Sequence, residues 1–112
     1  MNSKIKDSDV DCMFKAILTL DNIEECYNFF EDLCTVAEIK EMSKRLKAAK
    51  MLSENVIYSD IALQTGLSSA TISRVNRCLK YGSDGYRTVL ERLSEEDNCG
   101  NDNSQSKNGD KE

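Results

Sequence analysis

Residue types that build many common sites are absent from this sequence or scattered in it. There is no histidine and no proline, and the five cysteines include no C-x-x-C pair. The chain therefore lacks the usual ligand sets of zinc sites. It also lacks a histidine base for a nucleophile and a Gly-rich loop for phosphate. We predict no metal, no cofactor and no enzymatic activity.

Long hydrophobic runs are missing as well. No apolar stretch approaches the roughly 20 residues of a membrane span. The first twelve residues, MNSKIKDSDVDC, have no apolar core of the kind found in signal peptides. An odd number of scattered cysteines also differs from the paired pattern of a disulfide framework. The sequence therefore predicts a cytoplasmic protein that does not contact a membrane.

Charge is distributed unevenly along the chain. The formal net charge is −5, but residues 40–93 contain ten Lys and Arg against five Asp and Glu. Residues 1–39 and 94–112 are both acidic. A local basic field matters more to a phosphate backbone than the net charge does. On charge alone, a nucleic-acid surface and an ordinary solvated basic helix remain equally good interpretations.

The spacing of apolar residues predicts helices throughout the first 93 residues, because these residues recur at intervals of three and four. The predicted helices are at about 8–19, from about 22 onward, and at about 36–52, 59–65, 69–81 and 86–93. Asp21 with Glu24, and Thr35 with Glu38, have the spacing of helix-start capping boxes. In the third helix we expect four residues to face inward: Ile39, Met42, Leu46 and Ala49.

Two further features concern the ends of the chain. Residues 94–112 contain no large apolar side chain, so we predict a disordered tail there and one helical domain over 1–93.

The helical domain over 1–93 has only a small core, and its first two helices carry apolar faces that need to be buried. These size arguments favour a homodimer over a monomer.

Residues 58–78 have the pattern of a helix-turn-helix, beginning at Tyr58. Gly66 stands where the tight turn requires a residue that tolerates positive φ. Ser68 is suited to cap the second helix. Thr65 is the one residue of the pattern that is more polar than usual. The residues that would face the core are Ile61, Ala62, Leu67, Ile72 and Val75.

The outward face of the second helix suits DNA. Small and hydroxyl-bearing residues at its start allow close approach to a groove, and basic residues follow that reach phosphates or guanine. No acidic residue lies between Asp60 and Asp84. The predicted DNA-binding residues are Ser68, Ser69, Ala70, Thr71, Ser73, Arg74, Arg77 and Lys80. The plainer alternative, an αα-hairpin with a solvated basic face, explains the pattern less completely.

Over residues 10–93 the sequence resembles the Trp repressor superfamily, and within it the Trp-repressor-related YerC/YecD family. The most specific segments are ATISRVNRCLKYG at 70–82 and KRLKAAKML at 44–52. The resemblance implies an all-α, intertwined dimer whose two helix-turn-helix heads face successive major grooves. Half-sites of such dimers, the Trp repressor included, are known to lie about 34–36 Å apart.

The resemblance also implies an effector pocket. It would be formed by Thr35, Arg45, Arg74 and Cys78, with Lys44 as an alternative to Arg45. Cys78 stands where the family has a serine, and Val75 stands where it has a glycine that leaves room for an indole. We therefore expect that tryptophan does not bind strongly, and the sequence does not identify another effector.

These observations predict a sequence-specific, DNA-binding transcriptional regulator, a repressor, that acts as a homodimer on double-stranded DNA. The alternative function is a helical protein-interaction module that has lost DNA binding, which the acidic first third and the acidic tail would suit. Salt-dependent binding to duplex DNA distinguishes the two.

Overall fold

The structure is a computed structural model that describes residues 4–96. Every regular element in this range is a helix, which confirms the all-α prediction. In chain order the helices are α1 Ser8–Ile17, α2 Ile23–Leu33, α3 Val36–Ser53, α4 Tyr58–Thr65, α5 Ser69–Tyr81 and α6 Gly85–Glu95. None of these helices has both the length and the apolar composition needed to cross a membrane.

The helix boundaries agree closely with the predicted ones in the middle of the chain and less closely at the ends. The bounds of α4 and α5 match to within one residue. α1 ends two residues early, at Ile17. α6 continues to Glu95, so Ser94 and Glu95 are helical although they were assigned to the tail. Residues 97–112 of the predicted tail lie outside the described residues.

Side-chain caps begin the first three helices. Thr35 and Glu38 form the predicted reciprocal pair: the Glu38 N–H donates to Thr35 Oγ1 at 3.1 Å, and the Thr35 N–H donates to Glu38 Oε1 at 2.8 Å. The predicted start of α2 is wrong by one residue. Its N-cap is Asn22, whose Oδ1 accepts from the Glu25 N–H at 2.9 Å. The Glu25 carboxylate then reaches back to the Asp21 N–H, so Asp21 lies just outside the helix.

Contacts between residues divide the chain into two compact units, with the boundary between Ser43 and Lys44, inside α3. The second unit contains the buried core. Its buried members are Ala48, Ala49, Met51, Ile61, Leu67, Ile72 and Val75, with Leu52, Val56, Ala62, Tyr86 and Leu90 packed against them. All five residues that we expected to form the core of the helix-turn-helix belong to this set.

The first unit has no buried residue in α1 or α2. Both helices nevertheless carry large apolar side chains on their surfaces, among them Phe14 of α1 at 47% exposure and Ile23 of α2 at 75%. An amphipathic helix is stabilised mainly by packing of its apolar face. These faces therefore form an apolar surface that a single chain leaves open to water.

The inward face predicted for α3 is partly wrong. Ala49 is buried as expected and Ile39 is half-buried, but Met42 and Leu46 are exposed. The residues of α3 that do face the core are Ala48, Ala49 and Met51. Two neighbouring alanines let other helices approach closely, whereas Met42 and Leu46, which precede Ala49 on the same side by two turns and by one, remain exposed.

Candidate nucleic-acid interface

The turn between α4 and α5 is locked by one glycine and one threonine. Gly66 has φ +77°, in the left-handed region that glycine adopts without strain. The buried Thr65 hydroxyl donates to the Ile61 carbonyl at 2.7 Å and accepts from the Leu67 N–H at 3.2 Å. The residue that looked too polar for the pattern thus satisfies a backbone amide that the turn would otherwise leave without a partner.

The start of α5 is organised by Ser68, the predicted cap. Its Oγ accepts from the Thr71 N–H at 3.1 Å, and its own hydroxyl donates to Thr71 Oγ1, also at 3.1 Å. This arrangement leaves the Thr71 proton available to donate to an acceptor on DNA. The first turn of α5 contains no acidic residue, so the positive end of the helix dipole is not neutralised there.

The predicted DNA-binding residues lie together on α5 and its cap. The exposed ones are Ser68, Ser69, Ala70, Ser73, Arg74, Arg77 and Lys80, and Thr71 is half-buried. Two ion pairs occur among residues 4–96, and neither involves α5. The two guanidinium groups and the ammonium group of this surface are therefore not neutralised by neighbouring carboxylates.

An aromatic residue that the sequence reasoning missed extends this surface. Tyr81, the last residue of α5, is 82% exposed and follows Arg77 by four positions, so the two share a side of the helix. The chain then turns at Gly82, where an added Cβ would lie 2.4 Å from the Cys78 carbonyl oxygen. The position therefore excludes larger residues. The i, i+4 spacing from Arg77 was the signal that could have identified Tyr81.

The basic side of α3 is a second, weaker candidate surface. Lys40, Lys44 and Lys47 are exposed, whereas Lys50 donates to Glu54 Oε2 one turn later at 2.5 Å. The Lys50 charge is thus partly neutralised within its own helix. Each of the two helices thus exposes three basic side chains without an ion pair, but α3 has Glu38 in its first turn, whereas the first turn of α5 contains no acidic residue.

Three of the four predicted effector residues influence the pKa of one tyrosine in the second unit. Tyr86 of α6 packs against the core, and its burial raises the pKa of the phenol above the ordinary 10.0. The guanidinium groups of Arg45 and Arg74 counter that increase in pKa, and the Cys78 thiol adds to it. The phenol therefore lies within electrostatic range of groups on α3 and α5, and it stays protonated at neutral pH.

A family model described as the Trp repressor protein matches residues 8–94 of the chain. The chain belongs to the Trp repressor family. The resemblance seen in the sequence is thereby confirmed, since the match covers nearly all of the described helices.

Individual members of the Trp repressor family are also close in sequence and structure. The uncharacterized protein YerC of Bacillus subtilis is 49% identical over 92 residues, which cover 82% of this chain and 88% of YerC. A crystal structure of a candidate Trp repressor from Staphylococcus aureus has a TM-score of 0.79 at 48% identity, covering 84% of this chain and 94% of that one. A TrpR-like protein from Eubacterium eligens gives 0.80 at 55% identity, covering 83% and 96%.

Within this Trp repressor fold, the fourth predicted effector residue, Thr35, and the neighbouring pattern residue Val75 have structural roles. The Thr35 hydroxyl caps α3 and belongs to the first unit, whereas the other three belong to the second. Val75, which the sequence placed beside the effector, is 2% exposed and lies in the core. The assignment of these residues to an effector remains a prediction.

Proposed function

We propose that the protein is a homodimeric transcriptional repressor that reads double-stranded DNA by inserting the start of α5 into the major groove. The observation that carries the proposal is the surface of α5. Small and hydroxyl-bearing side chains precede three basic ones, and no acidic residue interrupts them. Membership of the Trp repressor family supports the same conclusion.

The start of α5 is suited to reading bases. Ser69, Ala70 and Thr71 are short, so the backbone can approach the base edges closely. A methyl group of Ala70 or Thr71 can contact a thymine methyl, and the Thr71 hydroxyl can donate to an acceptor on a purine. The rigid turn at Gly66 and the Ser68 cap hold these side chains on a well-ordered helix end.

The later part of α5 is suited to holding the phosphate backbone. Arg77 and Lys80 lie one turn or more beyond the base-reading end and are exposed. Charges placed there contribute binding that depends on salt but little on sequence. Tyr81 adds a hydroxyl at the same end of the helix.

The apolar surfaces of α1 and α2 support the homodimer. Five large apolar side chains on these two helices or at the C-cap of α1 are exposed in a single chain: Phe14, Leu18, Ile23, Tyr27 and Leu33. Burying apolar area stabilises an assembly by about 25 cal/mol per Å². A second copy supplies an identical set of faces, and the resulting dimer carries two α5 helices for two half-sites.

The test begins with selection of bound fragments from a genomic DNA pool by the purified protein. Fluorescence anisotropy then compares a selected duplex with a scrambled one at increasing salt. We expect preferential, salt-sensitive binding that weakens in Arg77→Ala. Arg92→Ala removes the same charge from α6 and serves as the control, with little change expected. Absence of salt-sensitive binding by the wild type would favour a protein-interaction module. A reporter with the selected site in its promoter would then separate repression from activation.

A further inference from the structure

Helix α6 is attached directly to the end of α5. The Arg87 guanidinium donates from Nε to the Leu79 carbonyl at 3.0 Å and from Nη2 to the Lys80 carbonyl at 3.5 Å. The last four carbonyls of a helix have no partner within the helix, and they form the negative end of its dipole. Arg87 therefore satisfies two of these carbonyls and places a positive charge where the dipole favours one.

Tyr86, the residue before Arg87, packs against the core. Tyr86 is half-buried and packs against the cluster that contains residues of α3, α4 and α5. Its phenol lies within electrostatic range of Arg45 on α3 and of Arg74 and Cys78 on α5. Two adjacent residues of α6 thus have different attachments: Arg87 bonds the last turn of α5, and Tyr86 packs against the core.

The groups around Tyr86 are three of those that the family resemblance assigned to a diffusible effector. In this chain an aromatic side chain from α6 already packs against the core cluster that contains Val75, within electrostatic range of both arginines. Val75 is also packed in the core rather than set back to leave a space beside them. Tyr86 thus supplies a ring with a hydroxyl in the region that the family resemblance assigns to an external ligand.

We propose that Tyr86 and Arg87 form a built-in clamp, in which Tyr86 takes the place of a diffusible effector and holds α5 ready for DNA. This inference rests on the DNA-binding function proposed above. Tyr86 and Arg87 are positioning residues in this proposal, because they act on DNA binding through α5 and do not contact the DNA themselves. An effector raises DNA affinity only by shifting the protein from a state that does not bind DNA to one that does. If Tyr86 and Arg87 already hold α5 in the DNA-binding state, an added effector should not raise the affinity further.

The experiment measures binding to the selected duplex by wild type and by Tyr86→Ala, each with and without 4-methylphenol or L-tryptophan at millimolar concentration. Wild-type affinity should change less than about twofold with either compound. Tyr86→Ala should bind about tenfold more weakly, equivalent to about 1.4 kcal/mol, and 4-methylphenol should restore most of that loss. Measurements are made at a temperature at which circular dichroism shows the variant to be fully folded.

Three further variants separate the clamp from general packing. Tyr86→Phe keeps the ring and removes the hydroxyl, so it should bind more tightly than Tyr86→Ala and should not respond to 4-methylphenol. Arg87→Lys keeps a donor and a charge at the end of α5, and it should recover part of the affinity lost in Arg87→Ala. Val89→Ala trims an exposed side chain of the same helix and should bind like wild type.

The outcomes distinguish the clamp from the function on which it rests. Wild-type binding that requires an added small molecule would overturn the clamp, as would a folded Tyr86→Ala that binds like wild type. Loss of affinity in Tyr86→Ala without rescue by 4-methylphenol would also count against it. A wild type that binds no selected duplex would instead overturn the DNA-binding function itself.

Discussion

The backbone N–H of Leu67 donates to the hydroxyl of Thr65 at 3.2 Å, across the glycine that separates α4 from α5. Both residues are buried, and the same hydroxyl donates back to the Ile61 carbonyl. One side chain thus ties the end of the first helix to the approach to the second. The geometry of the turn depends on this hydroxyl as well as on the glycine.

Thr65→Val should destabilise the protein by about 1–3 kcal/mol, because valine has the shape of threonine but leaves the buried Leu67 amide without a partner. Urea unfolding followed by circular dichroism measures the change. Thr65→Ser retains the hydroxyl and loses only a methyl group, so it should cost less than Thr65→Val. Equal stability of Thr65→Val and wild type would show that the hydrogen bond adds nothing to the turn.

Alanine substitutions at two glycines should have opposite effects. At Gly66 the added Cβ meets no atom within 4 Å, but the φ of +77° should cost roughly 1–2 kcal/mol. At Gly85, the first residue of α6, space is also open and φ is not positive. Alanine there should stabilise the protein by about 0.4–1 kcal/mol, because it lowers the conformational entropy of the unfolded chain. Thermal unfolding of the two variants should therefore shift in opposite directions from the wild type.

The surface of α5 should separate into base-reading and phosphate-holding residues. Arg77→Ala should weaken binding to all duplexes alike and reduce the slope of log affinity against log salt by roughly one. Thr71→Ala should instead reduce the difference in binding free energy between the selected and scrambled duplexes, by about 1–3 kcal/mol at one base pair. If a variant that combines Arg77→Ala and Thr71→Ala binds DNA as well as wild type, α5 is not the DNA-binding helix. The lysines of α3 then become the surface to test.

The apolar faces of α1 and α2 should hold two chains together. Light scattering at micromolar concentration should give twice the 12.6 kDa mass of the chain. Ile23→Asp should shift the mass toward the monomer and weaken DNA binding, because a charge cannot be buried at the interface without a large penalty. Ile57→Asp changes an exposed residue of the second unit and should leave the dimer intact. A wild type that remains monomeric would contradict the dimer.

The parts of the fold that the sequence predicted well are those set by local chemistry. The turn at Gly66, the cap at Ser68 and the paired cap of Thr35 and Glu38 each depend on residues within a few positions of one another. Their geometry follows from backbone stereochemistry and short-range hydrogen bonds. The start of α2 was misplaced because two candidate caps, Asp21 and Asn22, each precede a glutamate by three residues.

The parts that escaped prediction depend on contacts between distant segments. The pattern of α3 identified apolar residues, but it could not show that Ala48 faces the core while Met42 remains open to water. Tyr86 gave no local signal, since its neighbours Arg45 and Arg74 lie 41 and 12 positions earlier in the chain. The anchoring of Arg87 to the carbonyls of α5 likewise becomes visible only when α6 is placed against that helix.

The location of the buried core has a consequence for how the protein folds. Every buried residue of that core lies at Ala48 or later, whereas α1 and α2 contain no buried residue within the single chain. Helices that are neighbours in sequence form the core, and such local topology folds within microseconds to milliseconds. Refolding followed by stopped flow should therefore show a fast phase whose rate does not depend on protein concentration. A slower phase should follow, in which two chains associate through the apolar surfaces of α1 and α2. The rate of this phase should rise with protein concentration.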